Sequence, residues 1–319
     1  MRYTYIILIH CIALCLLSAR TAHAMGLMLE PSAVQCIAAA PSLPTPPAAA
    51  AKRLAGSRAV AGTKDIAWAW LGSPTLRYPH KALGSATHAG TLHVLVAGDV
   101  NSKDAKPKER VYTLPLHKVF EDLTVRLADL DGDGRDEIIV IESDAVRGAA
   151  TVVLGLRDSG LVELARSPYA GSTFLWLNPV GVADFDSDGK LDIASVITPH
   201  IGGILTLYHY RPPKLEPFAR AMDTSNHRMG DPEQDLAVIV ELPGVRPTII
   251  VPDMGLKALH ALRWEASTNS STSAGETGKW KELADVKPLP ARVQRMVPTA
   301  GGACVLLANG NWLRVTLSQ

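Results

Sequence analysis

The sequence predicts an all-β protein, and within that class a β-propeller of five four-stranded blades closed into a ring by an N-terminal strand. Three observations carry this expectation. An acidic loop, "DLDGDGRDE" at 129–137, returns 55 residues later as "DFDSDGKLD" at 184–192. A short strand rich in β-branched residues recurs with it, at "TLHVLVAGD" (91–99), "EIIVIESD" (137–144), "DIASVITP" (192–199), "TIIVPD" (248–253) and "CVLLANG" (304–310). Helical periodicity is hard to find anywhere along the chain. Four antiparallel strands repeated every ~40–57 residues are what a propeller blade needs, whereas a pair of β-sandwiches imposes no such register.

Taken in order, the chain opens with "MRYTYIILIHCIALCLLSARTAHA" (1–24), a basic start at Arg2, an apolar run from Ile6 to Leu17 and a small-residue ending at Ala22-His23-Ala24. That pattern predicts a signal peptide cleaved after Ala24, too short to span a bilayer, which takes about 20 apolar residues. No later stretch approaches that length, so the mature chain is expected outside the cytoplasm, secreted or periplasmic, with no membrane span. Residues 25–63, including the Pro/Ala-rich "PSLPTPPAAAAKRLAG" (41–56), read as a disordered leader, leaving 64–319 for the propeller. Formal net charge is +1 with no basic block, which argues against nucleic acid as a partner. Cys11 and Cys15 depart with the signal; Cys36 and Cys304 remain, and an oxidising compartment would allow them to pair, although Cys36 falls in the leader.

Each repeat divides into four strands. The second unit gives "TVRLADL", "EIIVIES", "ATVVLGLRD" and "LVELARS", with the hairpin turn "DSG" at 158–160, and the third gives "VGVADF", "DIASVI", "GILTLYHY" and "LEPFARA". The fourth keeps the apolar flanks but has lost the acids in "ELPGVRPT" (241–248), where Pro243 and Pro247 stiffen the backbone instead. The fifth stops one strand short, and the segment "DIAWAWLG" (65–72) is expected to supply the missing strand and close the ring.

The acidic loops need a partner. Two unit charges about 4 Å apart repel by roughly 4 kcal/mol at an effective dielectric near 20, and three aspartates make three such pairs. A hard divalent cation relieves this, and calcium tolerates the irregular oxygen shell a loop can offer. The expected ligands are Asp129, Asp131, Asp133, the carbonyl of Arg135, and Glu137 in one loop, and Asp184, Asp186, Asp188, the carbonyl of Lys190, and Asp192 in the other. Gly134 and Gly189 permit the turn. An EF-hand is excluded, because its twelfth position is Val140 or Ser195 here and the flanks are strands. The pattern D-x-D-x-D-G-x-x-[DE] between strands resembles the FG-GAP/VCBS repeats of integrin-type β-propellers, and the wording around it is similar to exported bacterial VCBS-repeat proteins. The resemblance implies calcium, a propeller and an extracytoplasmic address, but no reaction. A structural calcium is the plainer expectation; merely solvated acidic hairpins are the competing one.

The opposite rim collects "RYPHKALG" (77–84), "FLWLNP" (174–179), "TPHIGG" (198–203) and "TSNHRMGDPEQD" (224–235), and with them the candidate ligand-binding residues Arg77, His80, Trp176, Asn178, His200, Asn226 and His227. Beside Gly or Pro, such residues also serve as turn formers and braces, and Trp176 as packing. Three histidines from different blades bring a transition metal into view, without any metal-site spacing. No G-x-S-x-G, no H-E-x-x-H and no partnered nucleophilic cysteine is present. The expected function is a monomeric, non-catalytic binding protein for a protein or glycan partner, with an accessory subunit of an envelope assembly as a variant that an exposed apolar patch favours. The alternative is a secreted polysaccharide-active lyase or hydrolase, which needs Arg77, His80 and an acid such as Glu233 in one cleft.

Overall fold

A computed structural model describes residues 26–32, 36, 44–100, 108–266, 278–283 and 286–318. The expected signal segment and most of the polar stretch at 265–279 lie outside them. The fold is all-β: among the described residues, helix is limited to Cys36, a 3-10 turn at Ala48–Lys52 and a four-residue turn at Ala97–Val100.

The strands run as successive antiparallel meanders. After β1 (Gly26–Pro31), the first meander comprises β2 (Val60–Ala61), β3 (Ile66–Thr75), β4 (His88–Val96) and β5 (Glu109–Thr113). The short β6 (Lys118–Phe120) leads to the second, β7 (Arg126–Ala128), β8 (Glu137–Asp144), β9 (Gly148–Arg157) and β10 (Gly160–Arg166). The third is β11 (Leu177–Ala183), β12 (Asp192–Ile197), β13 (Ile204–Arg211) and β14 (Lys214–Ala221). The fourth is β15 (Val238–Leu242), β16 (Val245–Pro252), β17 (Ala258–Ala266) and β18 (Gly278–Glu282), with β19 (Lys287–Pro288) also on β17. The last, β20 (Val293–Thr299), β21 (Gly302–Leu307) and β22 (Trp312–Ser318), is completed by β1, which pairs antiparallel with β22. The first three meanders merge into one thirteen-stranded sheet only through β6, which bridges β4 and β8, and a single parallel pair, Arg166 opposite Lys214. Among the described residues no sheet closes on itself.

The second strand of a meander is buried on both faces, which is why its sequence is a run of apolar residues rather than an alternation. In β8, Ile138 and Val140 pack with Ile66, Leu71, Leu92 and Val94 of the first meander, while Ile139 packs with Ile193 and Tyr208 of the third. In β16, Ile249 and Val251 face the third meander's Ala194, Val196 and Leu207, and Ile250 faces Val293, Ala303 and Val305 of the last. The second, third and fourth meanders are therefore shared walls between two cores. At roughly 1.5–3 kcal/mol per fully buried aliphatic side chain, these walls dominate the cohesion of the fold.

Three expectations need correcting. The strand that begins the repeat register at 91–99 is the third of its meander, not the second. Its place is taken by β3, so "DIAWAWLG" belongs to the first meander and does not complete the last. The first meander's connection at 62–65 is short and lacks the aspartate ladder, so nothing marks β3 in the sequence as the strand after the loop. Completion of the last sheet falls instead to Gly26–Pro31, inside the segment expected to be a disordered leader. Much of that segment is ordered. Cys36 forms a disulfide with Cys304 of β21 and packs with Val297 and Trp312, and Ala50 packs on Trp70 and Leu95 of the first meander. A Pro/Ala-rich stretch has no period of its own, but its Ala50 and Leu54 cover apolar faces of the first sheet, as Cys36 does for the last.

Candidate functional site

The antiparallel meanders sort every connection to one of two ends. The connections between first and second strands, including both acidic loops, lie at one end. The connections between second and third strands, and those joining successive meanders, lie at the other.

At the first end the two acidic loops fold alike. Gly134 N–H donates to Asp129 Oδ2 (3.1 Å), Arg135 N–H to Asp133 Oδ1 (2.8 Å) and Leu130 N–H to Glu137 Oε2 (2.8 Å). The second loop repeats these as Gly189 to Asp184 (3.0 Å), Lys190 to Asp188 (2.9 Å) and Phe185 to Asp192 (3.2 Å). Gly134 and Gly189 both sit at φ 85°, the left-handed turn that aims the carboxylates inward. One oxygen each from Asp129, Asp131 and Glu137 come within 4.8 Å of one another, as do those of Asp184, Asp186 and Asp192. Burial pushes the Glu137 carboxyl up to about 7, the Leu130 N–H opposes that, and Asp131 and Asp133 add to it. Burial likewise raises Asp192 to about 6, against His209 and with Asp186. In the first loop Asp129 Oδ1 and Glu137 Oε1 are buried without a hydrogen-bond donor, a cost that a hard cation with oxygen ligands would remove. The donor set therefore fits calcium.

The loops differ in what leans on them. Lys64 Nζ lies 3.5 Å from Asp129 in the first. In the second, His209 Nδ1 lies 3.0 Å from Asp192 while its ring stacks on Phe218 at 4.0 Å. His209 sits directly across the ladder from Asp192 on β13, so register alone could have found it, but nothing in the nine-residue motif points to it.

At the opposite end, Trp176, His200 and His227 come together. The Trp176 and His200 rings are parallel within 2° at 5.8 Å, and His227 meets Trp176 edge-on at 4.6 Å. The hydrogen bonds fix the tautomers. His227 Nε2–H donates to the Asp231 carbonyl (2.8 Å), so its Nδ1 accepts from His200 Nε2–H (2.8 Å). Burial holds both imidazoles below their ordinary range, at about 4 for His200 and about 3 for His227, so both are neutral at physiological pH. They border a cleft of about 460 Å³ with Arg228, Met229, Asp231, Met254, Leu256 and Arg292.

The remaining candidates are braces. Asn178 and Asn226 are fully buried and tied to each other's backbone and to Gln234. Gln234 in turn reaches Asp122, which pairs with Arg126 at 2.6 Å. Arg77 donates through Nε to the Lys118 carbonyl, and His80 Nδ1 lies 2.7 Å from the fully buried Glu121, out of hydrogen-bonding alignment. Glu233 is engaged by Arg295 and by Asp235 N–H, which donates to its Oε1, while Arg77 and His80 are turned to Lys118 and Glu121. Each member of the trio that the lyase or hydrolase reading needs is thus held by a partner of its own. A three-histidine centre is not formed, since among the described residues every potential metal-ligating triad lies at the acidic loops. The sequence reading missed Arg228 and Arg292. Arg228 follows His227 in a stretch already singled out, and Arg292 precedes β20 in the same class of connection as that stretch.

The family model of the FG-GAP-like repeat matches residues 129–195, the stretch that holds both complete acidic loops. Within those residues the chain carries FG-GAP-like repeats. No curated protein matches it. No helix among the described residues is long and apolar enough to cross a membrane.

Proposed function

We propose that the chain is an exported β-propeller of five blades, stabilised by calcium in its two acidic loops, that acts as a non-catalytic binding protein for a protein or glycan outside the cytoplasm. The partner docks on the rim away from the calcium. One observation carries this reading. Of ten exposed large apolar side chains among the described residues, seven (Leu76, Leu116, Val146, Phe174, Ile201, Met222 and Met229) lie on connections at that rim. The other three sit at sheet edges, Met28 and Val111 on edge strands and Val286 between β18 and β19, and none lies on an acidic-loop connection. Exposed apolar side chains gathered at one end mark an interaction surface more than scattered ones do.

Other features support the rest of the reading. Five meanders with shared walls fit a ring. So does the lining of two cavities by residues of β2, β7, β11, β15 and β20, with Arg58 and Asp235 common to both. The disulfide is in keeping with an oxidising compartment. Calcium is supported by the orphaned oxygens of Asp129 and Glu137. Their loops bind and orient the ion's ligands, and the ion would supply only charge compensation there.

The test is a pair of variants with wild-type melting temperatures, Ile201→Glu with Met229→Glu on the rim and Val111→Glu away from it. Immobilised on a surface, the mature chain should retain envelope proteins or glycans, the rim variant should lose them, and the Val111 variant should not. Equal retention by all three, or turnover of a polysaccharide by the wild type, would sink the reading.

A further inference from the structure

The cleft at the His200–His227 pair is built from four separate connections. Pro199 and His200 come from β12–β13, Ser225 to Asp231 from β14–β15, Met254 to Leu256 from β16–β17, and Arg292 from the approach to β20. Its volume is in the range of a small-ligand or side-chain pocket. Its charge is unbalanced. Arg228 pairs through Nη2 with Asp231, yet its Nε is buried without an acceptor. The guanidinium of Arg292 has no ionic or hydrogen-bonding partner among the described residues. Two guanidiniums against one carboxylate leave a positive charge, and the neutral histidines neither add to it nor cancel it. A guanidinium fork is matched in geometry by a carboxylate.

The walls say what carries that carboxylate. Met229, Met254 and Leu256 give the cleft apolar sides, and methionines adapt to side chains of varied shape. Ile201, Met222 and Met229 lie exposed on the connections that form the cleft or adjoin it. Sugar rings prefer open aromatic faces. Here Trp176 is buried under His200, and Phe174 is the one aromatic among the large side chains exposed on this rim.

We infer that this cleft binds a peptide segment of a partner protein in which an aspartate or glutamate is flanked by apolar side chains, the carboxylate meeting the Arg292 guanidinium. The inference rests on the reading of this rim as the binding surface, and it names the partner's chemistry.

Selection of a phage-displayed random dodecapeptide library on the intact mature chain in calcium tests it. The selected sequences should be enriched in Asp or Glu beside Leu, Ile, Met or Phe. A synthetic consensus peptide, followed by fluorescence anisotropy, should weaken about tenfold when its acid becomes an amide, and at least as much against Arg292→Glu. Its affinity should be unchanged by Val111→Glu, with thermal melts confirming that both variants fold. A neutral consensus, no selectable peptide, or an affinity indifferent to Arg292→Glu would overturn the inference. If a uronic-acid oligosaccharide bound instead, and depended on Arg292, the peptide assignment would fall while the binding rim stood. If neither bound and Ile201→Glu with Met229→Glu changed nothing, the rim reading itself would fall.

Discussion

The two ends of the molecule are built on opposite plans. At the acidic end, two loops of the same length repeat the same three backbone-to-carboxylate hydrogen bonds, with glycine at φ 85° in each. At the other end, no connection resembles another, and four non-glycine residues there (Phe174, Thr198, Asp223 and Leu256) hold positive φ. Such backbones cost of order 1–3 kcal/mol each and persist only where the surroundings over-determine them. The difference teaches where to look for specificity. A repeated loop can serve the scaffold once per repeat, whereas a partner is recognised by what each repeat does differently.

Several perturbations separate the two ends. The largest effect is expected from neither, but from the staple beneath them. The double change Cys36→Ser with Cys304→Ser opens a link between residues 268 apart and should cost about 2–5 kcal/mol, read as a lower melting temperature without loss of calcium binding. Next comes calcium. At a hundredfold excess over Kd one occupied site contributes about 2.7 kcal/mol, so Asp129→Asn should lower the melting temperature in calcium but not in chelator. Equal losses in both conditions would make the loop a plain acidic hairpin.

A second pH dependence, separate from that of the raised Glu137 and Asp192 carboxyls, belongs to the opposite end. Both His200 and His227 have folded-state pKa values below 6.5, so as the pH falls the unfolded chain takes up those protons first. Their contribution is intact above pH 6.5 and is lost progressively as the pH falls through about 4 and 3. In saturating calcium, His200→Asn with His227→Asn should flatten the drop in melting temperature between neutral pH and pH 5, and an unchanged slope would refute the neutral pair. The smallest effect is back in the loops. Ser187 holds φ 64° where the first loop has Gly132, so Ser187→Gly should relieve a left-handed strain of roughly 1 kcal/mol and raise the melting temperature slightly.

The acidic end was legible because its information is local. Asp129 to Glu137 carry their ligand geometry within nine residues, and the echo at 184–192 set the register of the second and third meanders correctly. His200, His227 and Trp176 were also reached, because strand order places their connections at one end. What failed were choices with no local signature. Asn178 and Asn226 look identical in sequence whether they face solvent or, as here, a buried network with Gln234 and Asp122. Arg292 shows nothing in "PARVQ" until the approach to β20 is seen to border the His200 cleft.

By itself the sequence determined the all-β class, the period, the carboxylate loops and the end from which other functions are excluded, since hydrophobic patterning and a short-range charge ladder are properties of neighbouring residues. Only the tertiary structure decided which strand completes the last sheet, that Cys36 and Cys304 meet, and that two arginines 64 positions apart (228 and 292) border one cleft. An unpaired sheet edge accepts any strand that reaches it, and a cleft forms wherever connections converge. Both depend on where the backbone travels, which no single stretch of residues records.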